Sequence, residues 1–276
     1  MDKLCQQIIK IAYFEDIKTG DITTETLIPK FRKGTAIVIA KSSGILSGIE
    51  AFKYAFKLTS PRTKVTFHCR EGKKFKAMEK IATIKGPVQA LLKGERLALN
   101  LLSHLSGVAT LTAEYANQIK DTKAKILDTR KTTPGLRWLE RKAVLHGGGF
   151  NHRMGLYDMV LIKDNHITAA GGIKQVLTRV QNIKYKVEIE VANLKQLKTV
   201  LDYQPDIIML DNFKISQLSK AVKMIKSKSP RIKVEASGGI NLENIRTIAK
   251  TGVDYISIGA LTHSAKAVDL SMRYIR

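Results

Sequence analysis

Short apolar runs that each end in polar residues dominate the second half of the chain. From residue 124 they are AKILDTRK (124–131), MVLIKDNH (159–166), KVEIEVAN (186–193), DIIMLDN (206–212), KVEASGG (233–239) and YISIGA (255–260). Apolar residues at helical spacing separate most of these runs, as from Leu194 to Leu201 and from Ile215 to Ile225. Alternating strands and helices predict right-handed βαβ units and a parallel sheet. The pattern predicts a small, open (incomplete) α/β barrel, with a doubly wound open sheet as the alternative.

Charged residues lie where these predicted strands end. They are Arg130, Lys131, Lys163, Glu190 and Asp211. The active site of an α/β barrel lies at the carboxyl ends of its strands. One such residue is more often a solvated loop charge or half of a salt bridge, but five at equivalent positions are costly to bury without a function. The charges therefore predict an active site at this end of the barrel.

The first part of the chain mixes helix and strand. Residues 35–49 have the alternation of two short strands around a turn. A helix is predicted from about Gly94, with a break or kink at Gly107 before a second helix runs to about Lys120. The change of pattern divides the chain into an N-terminal α/β domain, residues 1–108, and a barrel domain, residues 109–264.

The motif DTRKTTPGLR (128–137) places two cations before a helix that is predicted to begin at Thr133–Pro134. Arg130 offers a planar fork to a carboxylate, and Lys131 offers a mobile point charge. Together they suit a substrate with several carboxylates or phosphates. An isolated Arg-Lys pair in a loop is, by contrast, commonly just solvated.

The motif GGGFNHRMGLYDMVLIKDNH (147–166) adds His152 and Arg153 before one strand and Lys163 at its end. A lone histidine here is more often structural than functional, but the neighbouring cations favour a functional role. No HExxH or similar ligand spacing occurs, so we do not expect a zinc site.

Carboxylates follow on the next two strands. Glu188 and Glu190 are two residues apart, so they face the same side of one strand, and Asp211 ends the next. Carboxylates beside several cations can hold Mg²⁺ with water and a pyrophosphate, or accept hydrogen bonds from ribose hydroxyls. The structural alternative is a buried ion-pair network with the Lys and Arg residues. We favour function for Glu190 and Asp211, with Mg²⁺ as the cofactor, and leave the role of Glu188 open.

Small residues follow two late strands, in EASGGI (235–240) and YISIGALTHS (255–264). They allow backbone N–H groups to approach a phosphate, which α/β barrels often bind after their last strands. Ser237 can add a hydroxyl donor, and His263 can lie beside the phosphate. A Gly-Gly pair alone usually marks only a turn, but the second glycine motif one unit later favours a phosphate site.

The composition is strongly basic, with 47 Lys and Arg against 24 Asp and Glu and a net charge of +23. Such a surface attracts polyanions, so nucleic acid is a partner to consider. The basic residues are spread along the chain, however, and no nucleic-acid-binding motif is present. Cys5 and Cys69 lie far apart, which predicts neither a disulfide nor a metal site and fits a reducing cytoplasm. No apolar run approaches membrane-spanning length.

Taken in order, these motifs resemble the quinolinate phosphoribosyltransferases, as do EIEVAN, MLDNF, EDIKTGDIT (15–23) and GERLALNLLSHLSGVAT (94–110). The resemblance covers nearly the whole chain. It implies an N-terminal α/β sandwich that the C-terminal tail (265–276) joins, an open α/β barrel, and a homodimer or a higher oligomer of dimers. It also implies an enzyme of NAD biosynthesis that joins quinolinate to phosphoribosyl pyrophosphate and forms nicotinate mononucleotide, pyrophosphate and carbon dioxide.

The resemblance assigns residues to each ligand. The quinolinate pocket would comprise Arg130, His152, Arg153 and Lys163, with Arg96 from the neighbouring subunit. The catalytic contacts with phosphoribosyl pyrophosphate and Mg²⁺ would be those of Lys131, Glu190 and Asp211. The 5′-phosphate loops would comprise Ser237, Gly238, Gly239, Gly259 and His263.

Two rival functions remain open at this point. A homologue associated with molybdenum transport shares the fold and parts of the TRKT-PG and HR-GL motifs. The sequences KDNH (163–166) and GALTHS (259–264) favour the transferase instead. The second rival is a basic nucleic-acid-binding protein, for which the chain lacks both a motif and a concentrated basic stripe.

Overall fold

A computed structural model describes residues 1–275. In the first part of the chain the elements are α1 (Lys3–Ile17), α2 (Ile22–Leu27), β1 (Lys33–Ala40), β2 (Gly44–Ile45), α3 (Ile49–Thr59), β3 (Lys64–Phe67), β4 (Lys74–Phe75), β5 (Lys80–Pro87) and α4 (Val88–Gln118). The remaining elements are β6 (Lys125–Leu127), α5 (Arg137–His146), β7 (Val160–Ile162), α6 (Asp164–Ala169), α7 (Ile173–Arg179), β8 (Val187–Val191), α8 (Leu194–Leu201), β9 (Ile207–Asp211), α9 (Ile215–Lys228), β10 (Lys233–Ser237), α10 (Ile245–Ala249), β11 (Tyr255–Ser257), α11 (Ala260–His263) and β12 (Leu270–Ile275).

The chain forms two compact units. The N-terminal unit holds Met1–Ala113, Lys131–Gly148 and the residues from Ala260 onward, and the barrel unit holds Glu114–Arg130 and Gly149–Gly259. Residues 109–113, 131–148 and 260–264 thus belong to the N-terminal unit, whereas the predicted barrel domain included them. No helix within residues 1–275 has both the length and the apolar character needed to cross a bilayer.

The N-terminal unit contains a four-stranded sheet in the order β12-β1-β5-β3, in which all pairs are antiparallel. Its last strand comes from the C-terminal tail, whose final residue, Arg276, lies outside the described residues. Apolar side chains of the sheet and of α3 and α4 form the core, including Val38, Phe52, Phe56 and Leu102. Because these side chains are almost completely buried, they supply the hydrophobic free energy that holds the sheet to its helices.

The barrel unit contains six parallel strands in the order β6-β11-β10-β9-β8-β7. Successive strands are neighbours and the last strand, β11, pairs with the first, which is the order found in a barrel. A doubly wound sheet would instead reverse its order at a switch point. No pairing joins β6 to β7 among the described residues, so the barrel is open there, and Phe150 forms a single parallel bridge to Leu127. The predicted open barrel is confirmed.

Strand β8 shows how the sequence directs side chains. Alternate residues of a strand point to opposite faces, so Val187, Ile189 and Val191 share one face and Glu188 and Glu190 share the other. All three apolar residues are buried. The acidic face of β8 is therefore separated from its apolar face by the pleat of one strand.

Two local predictions were wrong. Helix α4 runs without interruption past Gly107. The glycine serves close packing instead, since a Cβ there would lie 2.2 Å from the carbonyl oxygen of Lys266. Helix α5 begins at Arg137 and not at Thr133–Pro134. The backbone N–H of Thr133 donates to the Glu140 carboxylate instead, so the preceding residues form a turn.

Candidate active site

An ion pair lies at the carboxyl ends of two adjacent barrel strands. Lys163 directly follows β7, and its Nζ lies 3.1 Å from Oε2 of Glu190 on β8. The Lys163 side chain is 46% exposed and that of Glu190 is 15% exposed. Both groups therefore remain reachable from solvent while they orient each other. The pair is also what the structural alternative predicted, so it does not by itself distinguish a functional role from a structural one.

The ends of β9 and β10 are tied together by Asn212. Its side-chain amide donates to Oδ2 of Asp211 at 2.7 Å, and its backbone N–H donates to the carbonyl oxygen of Ser237 at 2.9 Å. A Cβ at Gly238 would lie only 2.1 Å from Oδ1 of Asn212, and the φ angle of Gly238 is +90°. A side chain here would be strained at this φ and would have to displace the Asn212 amide, so glycine leaves room for the contact of Asn212 with Asp211.

Gly239 differs from its neighbour in having open space beside it. Its φ angle is +61°, and nothing lies within 4 Å of the position that a Cβ would occupy. Its carbonyl oxygen accepts a hydrogen bond from the Asn244 side chain at 2.8 Å. This turn therefore exposes backbone that is held in place, which is what a phosphate-binding loop requires.

Two guanidinium groups lie near each other in the barrel unit. Arg153 is only 8% exposed, and its Nη1 donates to the carbonyl oxygen of Met159 at 2.9 Å. Burial and the nearby charge of Arg130 lower the pKa of Arg153. Arg130 itself is exposed, so a carboxylate can approach the two like charges from solvent and accept hydrogen bonds from a guanidinium fork.

Three side chains that we call the buried acid cluster, His152, Glu188 and Glu235, meet inside the barrel unit. Nε2 of His152 lies 3.0 Å from Oε2 of Glu188 and 3.6 Å from Oε1 of Glu235. Both carboxylates are fully buried. Ser257 donates a hydrogen bond to Oε1 of Glu235. Sequence reasoning placed His152 in the quinolinate pocket, which stays a prediction, and left Glu188 open.

The buried acid cluster perturbs its own ionisation. Burial and the charge of Glu188 raise the pKa of Glu235 to about 8. Burial opposes the charged form of His152, but Glu188 and Glu235 outweigh it, and the pKa of His152 is raised. Glu235 therefore carries a proton at neutral pH, which limits the negative charge that the barrel has to bury.

The same three residues also have the composition of a metal site, since their ligand atoms lie within 4.8 Å of one another. A contact of the imidazole argues against that role. Nδ1 of His152 accepts the backbone N–H of Arg153 at 2.7 Å, so the ring proton has to lie on Nε2, the atom that faces the carboxylates. A metal-binding histidine normally donates its other ring N–H instead.

His152 and Arg153 also line a cavity of about 250 Å³ within the barrel unit. Its other lining residues include Lys125, Lys186 and Tyr255, which lie at or next to the first residues of their strands. The two side chains thus extend from a loop into the interior of the barrel, below the carboxyl ends of the strands.

The N-terminal unit holds the remaining predicted residues, Arg96, Lys131 and His263. Arg96 is exposed on α4. The carbonyl oxygen of Lys131 accepts a hydrogen bond from Thr262 at 2.7 Å. Nδ1 of His263 lies 2.6 Å from the Ser264 hydroxyl. The barrel unit holds all the others, with Gly259 as its last residue.

Sequence reasoning missed three buried carboxylates, those of Asp128, Glu140 and Glu235. Glu140 on α5 is fully buried, and it accepts the backbone N–H of Thr133 at 3.1 Å and lies 2.7 Å from Nε2 of His104. Nothing in the sequence around Glu140 signals this position. Glu235 was quoted in EASGGI but not singled out, although an acid in an apolar strand is the same signal that drew attention to Glu188.

Cations, carboxylates and glycine turns thus gather at the carboxyl ends of a parallel barrel, which defines a barrel enzyme for an anionic, phosphorylated substrate. Residues 21–106 match the family described as quinolinate phosphoribosyl transferase, N-terminal domain, and residues 108–273 match its C-terminal domain. The chain belongs to the quinolinate phosphoribosyltransferase family. The resemblance that the motifs indicated is confirmed, and neither rival is favoured.

Individual relatives agree with this assignment. A probable nicotinate-nucleotide pyrophosphorylase (carboxylating) from Bacillus subtilis is 41% identical over 97% of this chain and 92% of its own length. A protein of the same description from Synechocystis is 43% identical over 95% of this chain and 90% of its own length. The structure of the nicotinate-nucleotide pyrophosphorylase from Francisella tularensis superposes with a TM-score of 0.92 at 38% identity, covering 99% of this chain and 96% of that one.

Proposed function

We propose that this chain joins quinolinate to phosphoribosyl pyrophosphate and releases pyrophosphate and carbon dioxide, so that nicotinate mononucleotide is formed for NAD biosynthesis. The observation that carries the proposal is the buried Arg153 with Arg130 close enough to lower its pKa, because two adjacent guanidinium groups form a site for carboxylates. Quinolinate has two carboxylates. The names of the relatives support the same reaction.

The pyridine ring is bound through its charges. Arg130 and Arg153 engage carboxylates, and Lys163 adds a third cation at the neighbouring strand end. Anchoring the carboxylates orients the ring nitrogen toward the anomeric carbon of the ribose. The attack then takes place between two groups that are bound in the same site, so it is effectively unimolecular.

The ribose is supported by carboxylates. Positive charge grows at the anomeric carbon as pyrophosphate leaves, and Glu190 and Asp211 offer negative charge at adjacent strand ends. Both carboxylates are hard oxygen ligands, so they also fit Mg²⁺. When bound, Mg²⁺ would neutralise charge on the departing pyrophosphate.

Decarboxylation becomes possible because the attack of the pyridine nitrogen on the ribose gives a positively charged ring. The ribosylated ring nitrogen is positively charged, so it stabilises the electron pair that stays on the neighbouring ring carbon when the bond to its carboxylate breaks and carbon dioxide leaves. That carbon then takes a proton from water, which completes nicotinate mononucleotide. The turn at Ser237, Gly238 and Gly239 presents backbone to the 5′-phosphate of the same ligand. The predicted roles of Lys131, Gly259 and His263 stay predictions.

The direct test mixes the protein with quinolinate, phosphoribosyl pyrophosphate and Mg²⁺ and measures nicotinate mononucleotide and carbon dioxide. We expect both products, in equal amounts, and little turnover of nicotinic acid, because one carboxylate would leave a clustered cation unpaired. Absence of product rejects the proposal. Comparable turnover of nicotinic acid would reject the assignment of the dicarboxylate pocket, and a salt-sensitive gel shift without turnover would favour the nucleic-acid rival.

We also propose a homodimer in which Arg96 of one subunit completes the quinolinate site of the other. Arg96 is exposed on α4, as this role requires. Mixing inactive Arg96→Ala and Glu190→Ala variants tests it, since half of the randomly formed dimers are mixed and each has one intact site. Roughly a quarter of the sites should recover. No recovery, with subunit exchange confirmed by mass, would mean that Arg96 acts within its own chain or only structurally.

The buried free cysteines support a reducing cytoplasmic location.

A further inference from the structure

The backbone N–H and both ring nitrogen atoms of His152 have defined contacts with the barrel. Its backbone N–H donates to Oδ1 of Asp128 at 2.7 Å, its Nδ1 accepts the backbone N–H of Arg153 at 2.7 Å, and its Nε2 lies 3.0 Å from Glu188. Glu235 approaches the same Nε2 at 3.6 Å. The ring is thus oriented from both of its nitrogen atoms.

The groups that orient His152 come from three different strands. Glu188 lies on β8 and Glu235 on β10, with β9 between them, and Asp128 directly follows β6. His152 itself lies in a loop. A loop residue that is bound to three strands takes the position that the barrel dictates, so the loop becomes as well defined as the sheet.

The structure assigns Glu188 and Glu235 a positioning role in substrate binding: their close charge contacts hold Nε2 of His152, and through its Nδ1 the backbone of Arg153, in the orientation that binds the quinolinate carboxylates. This role rests on the proposed function, because Arg153 is the residue that would touch the substrate. Neither glutamate needs to contact a ligand.

The chemistry of the ring explains why a carboxylate is needed beside Nε2. A neutral imidazole has one N–H, and the contact with Arg153 requires that Nδ1 keep its lone pair. The proton then lies on Nε2, where it is buried and has to be accepted. If the carboxylates were removed, the unsatisfied N–H would favour a turned ring or the other tautomer, and the contact with Arg153 would be lost.

The charges of the cluster act in the same direction. The negative charge of Glu188 favours the charged form of Arg153, whose pKa burial and Arg130 lower. Neither oxygen of Glu188, nor Oε2 of Glu235, has a well-aligned hydrogen-bond partner within residues 1–275, so the 3.0 Å contact of Glu188 with Nε2 of His152 is an electrostatic one. A proton shared by the two carboxylates, consistent with the raised pKa of Glu235, satisfies one oxygen of each without a further ligand.

The first test reads the tautomer directly. In protein labelled with ¹⁵N-histidine, the ¹⁵N chemical shifts of each ring report which nitrogen carries the proton, and a His152→Gln variant identifies the signals of His152. At mildly alkaline pH we expect a neutral ring with its proton on Nε2. A proton on Nδ1 would overturn the proposal, and so would binding of Zn²⁺ in calorimetry that the His152→Gln variant abolishes.

The second test separates the two substrates. Glu188→Leu removes the acceptor, so calorimetry should show a quinolinate Kd that rises about tenfold. The Kd for phosphoribosyl pyrophosphate with Mg²⁺ should change less than about twofold, within the scatter of remote substitutions. Glu188→Gln keeps an acceptor oxygen and should restore most of the affinity, and the exposed Glu243→Gln serves as the control. Equal weakening for both substrates, or none for quinolinate, would overturn the positioning role.

Wild-type turnover is measured first, so that the two ideas fail separately. If the wild type forms no nicotinate mononucleotide, the proposed function fails whatever the variants show. If it turns over and Glu188→Leu binds quinolinate normally, only the positioning role fails. Should the leucine variant not fold, the tautomer of His152 in the wild type still decides the question.

Discussion

Glu188 and Glu190 lie two residues apart on the same face of β8, and yet their surroundings differ in every respect. Glu188 is fully buried and faces a histidine, whereas Glu190 is 15% exposed and faces a lysine that is itself half exposed. The contrast repeats on β10 and β9, where Glu235 is buried and Asp211 lies at the strand end.

The difference teaches how one residue type can serve two purposes in one strand. A fully buried carboxylate has to be neutralised by the protein, so it orients a neighbouring side chain. A carboxylate at the strand end keeps part of its surface for a ligand. We therefore expect the buried acid cluster to determine quinolinate binding and the strand-end acids Glu190 and Asp211 to determine the chemistry at the ribose.

The largest effect is expected from Glu190→Gln, which keeps the shape of the side chain but removes its charge. Charge stabilisation at the anomeric carbon is lost, so kcat/KM should fall by roughly 10²–10³-fold. Steady-state kinetics with both substrates measures this. The exposed Glu243→Gln should leave the rate unchanged. A variant with normal kcat would show that Glu190 only forms its ion pair with Lys163. The proposed difference in role between Glu188 and Glu190 would then be wrong.

Arg153→Ala tests the other side of the contrast. Removing a charged group from a desolvated site typically costs about 2–5 kcal/mol of binding. The loss should fall on quinolinate and spare phosphoribosyl pyrophosphate. Calorimetry on folded protein measures both affinities. Equal losses for the two substrates would mean that quinolinate and phosphoribosyl pyrophosphate are not bound separately, one in the interior of the barrel and the other at the strand ends.

Gly238→Ala and Gly239→Ala form a matched pair at the strand ends. Both glycines have positive φ, which costs an alanine about 1–2 kcal/mol, but only at Gly238 does the Cβ meet Asn212. We expect Gly238→Ala to be less stable in chemical denaturation and to raise the KM for phosphoribosyl pyrophosphate more than Gly239→Ala does. Equal effects would show that Asn212 moves aside freely and does not orient Asp211.

The buried acid cluster also predicts a pH dependence of stability. The pKa of Glu235 is raised from 4.5 to about 8, so the folded protein binds more protons than the unfolded chain between those values. Its contribution to the unfolding free energy therefore decreases as the pH rises through that window. The raised pKa of His152 acts in the same direction above its unfolded value of 6.5.

Glu235→Gln removes the titrating group, so the decline of the unfolding free energy between pH 5 and pH 8 should be shallower than in the wild type. Chemical denaturation at a series of pH values measures the slope. Glu243→Gln, which alters an exposed carboxylate, should leave it as it is. An unchanged slope in Glu235→Gln would mean that Glu235 is ionised in the folded protein at neutral pH.

The sequence by itself determined the alternation of strands and helices and the strand ends that carry the charged residues, whereas the strand order of the folded sheet decided for a barrel. Each of the six apolar runs contains one of the strands β6 to β11, and helices α8 and α9 follow the predicted spacing, because period and burial are local properties of the chain. The positions of Lys163, Glu190 and Asp211 at strand ends followed from the same alternation. The family followed from motifs whose order and wording are specific.

Only the tertiary structure decided which charges meet. Glu235 and His152 are 83 positions apart in the sequence, and no local pattern predicts that their side chains meet in the buried acid cluster. A glycine such as Gly107 often marks a helix break, but here it lies where the carbonyl of Lys266 approaches α4. Glu140 accepts the backbone N–H of Thr133, seven residues earlier in the chain. Such contacts depend on how distant segments pack, and the free energy of burial that selects them is a property of the folded chain and not of any segment.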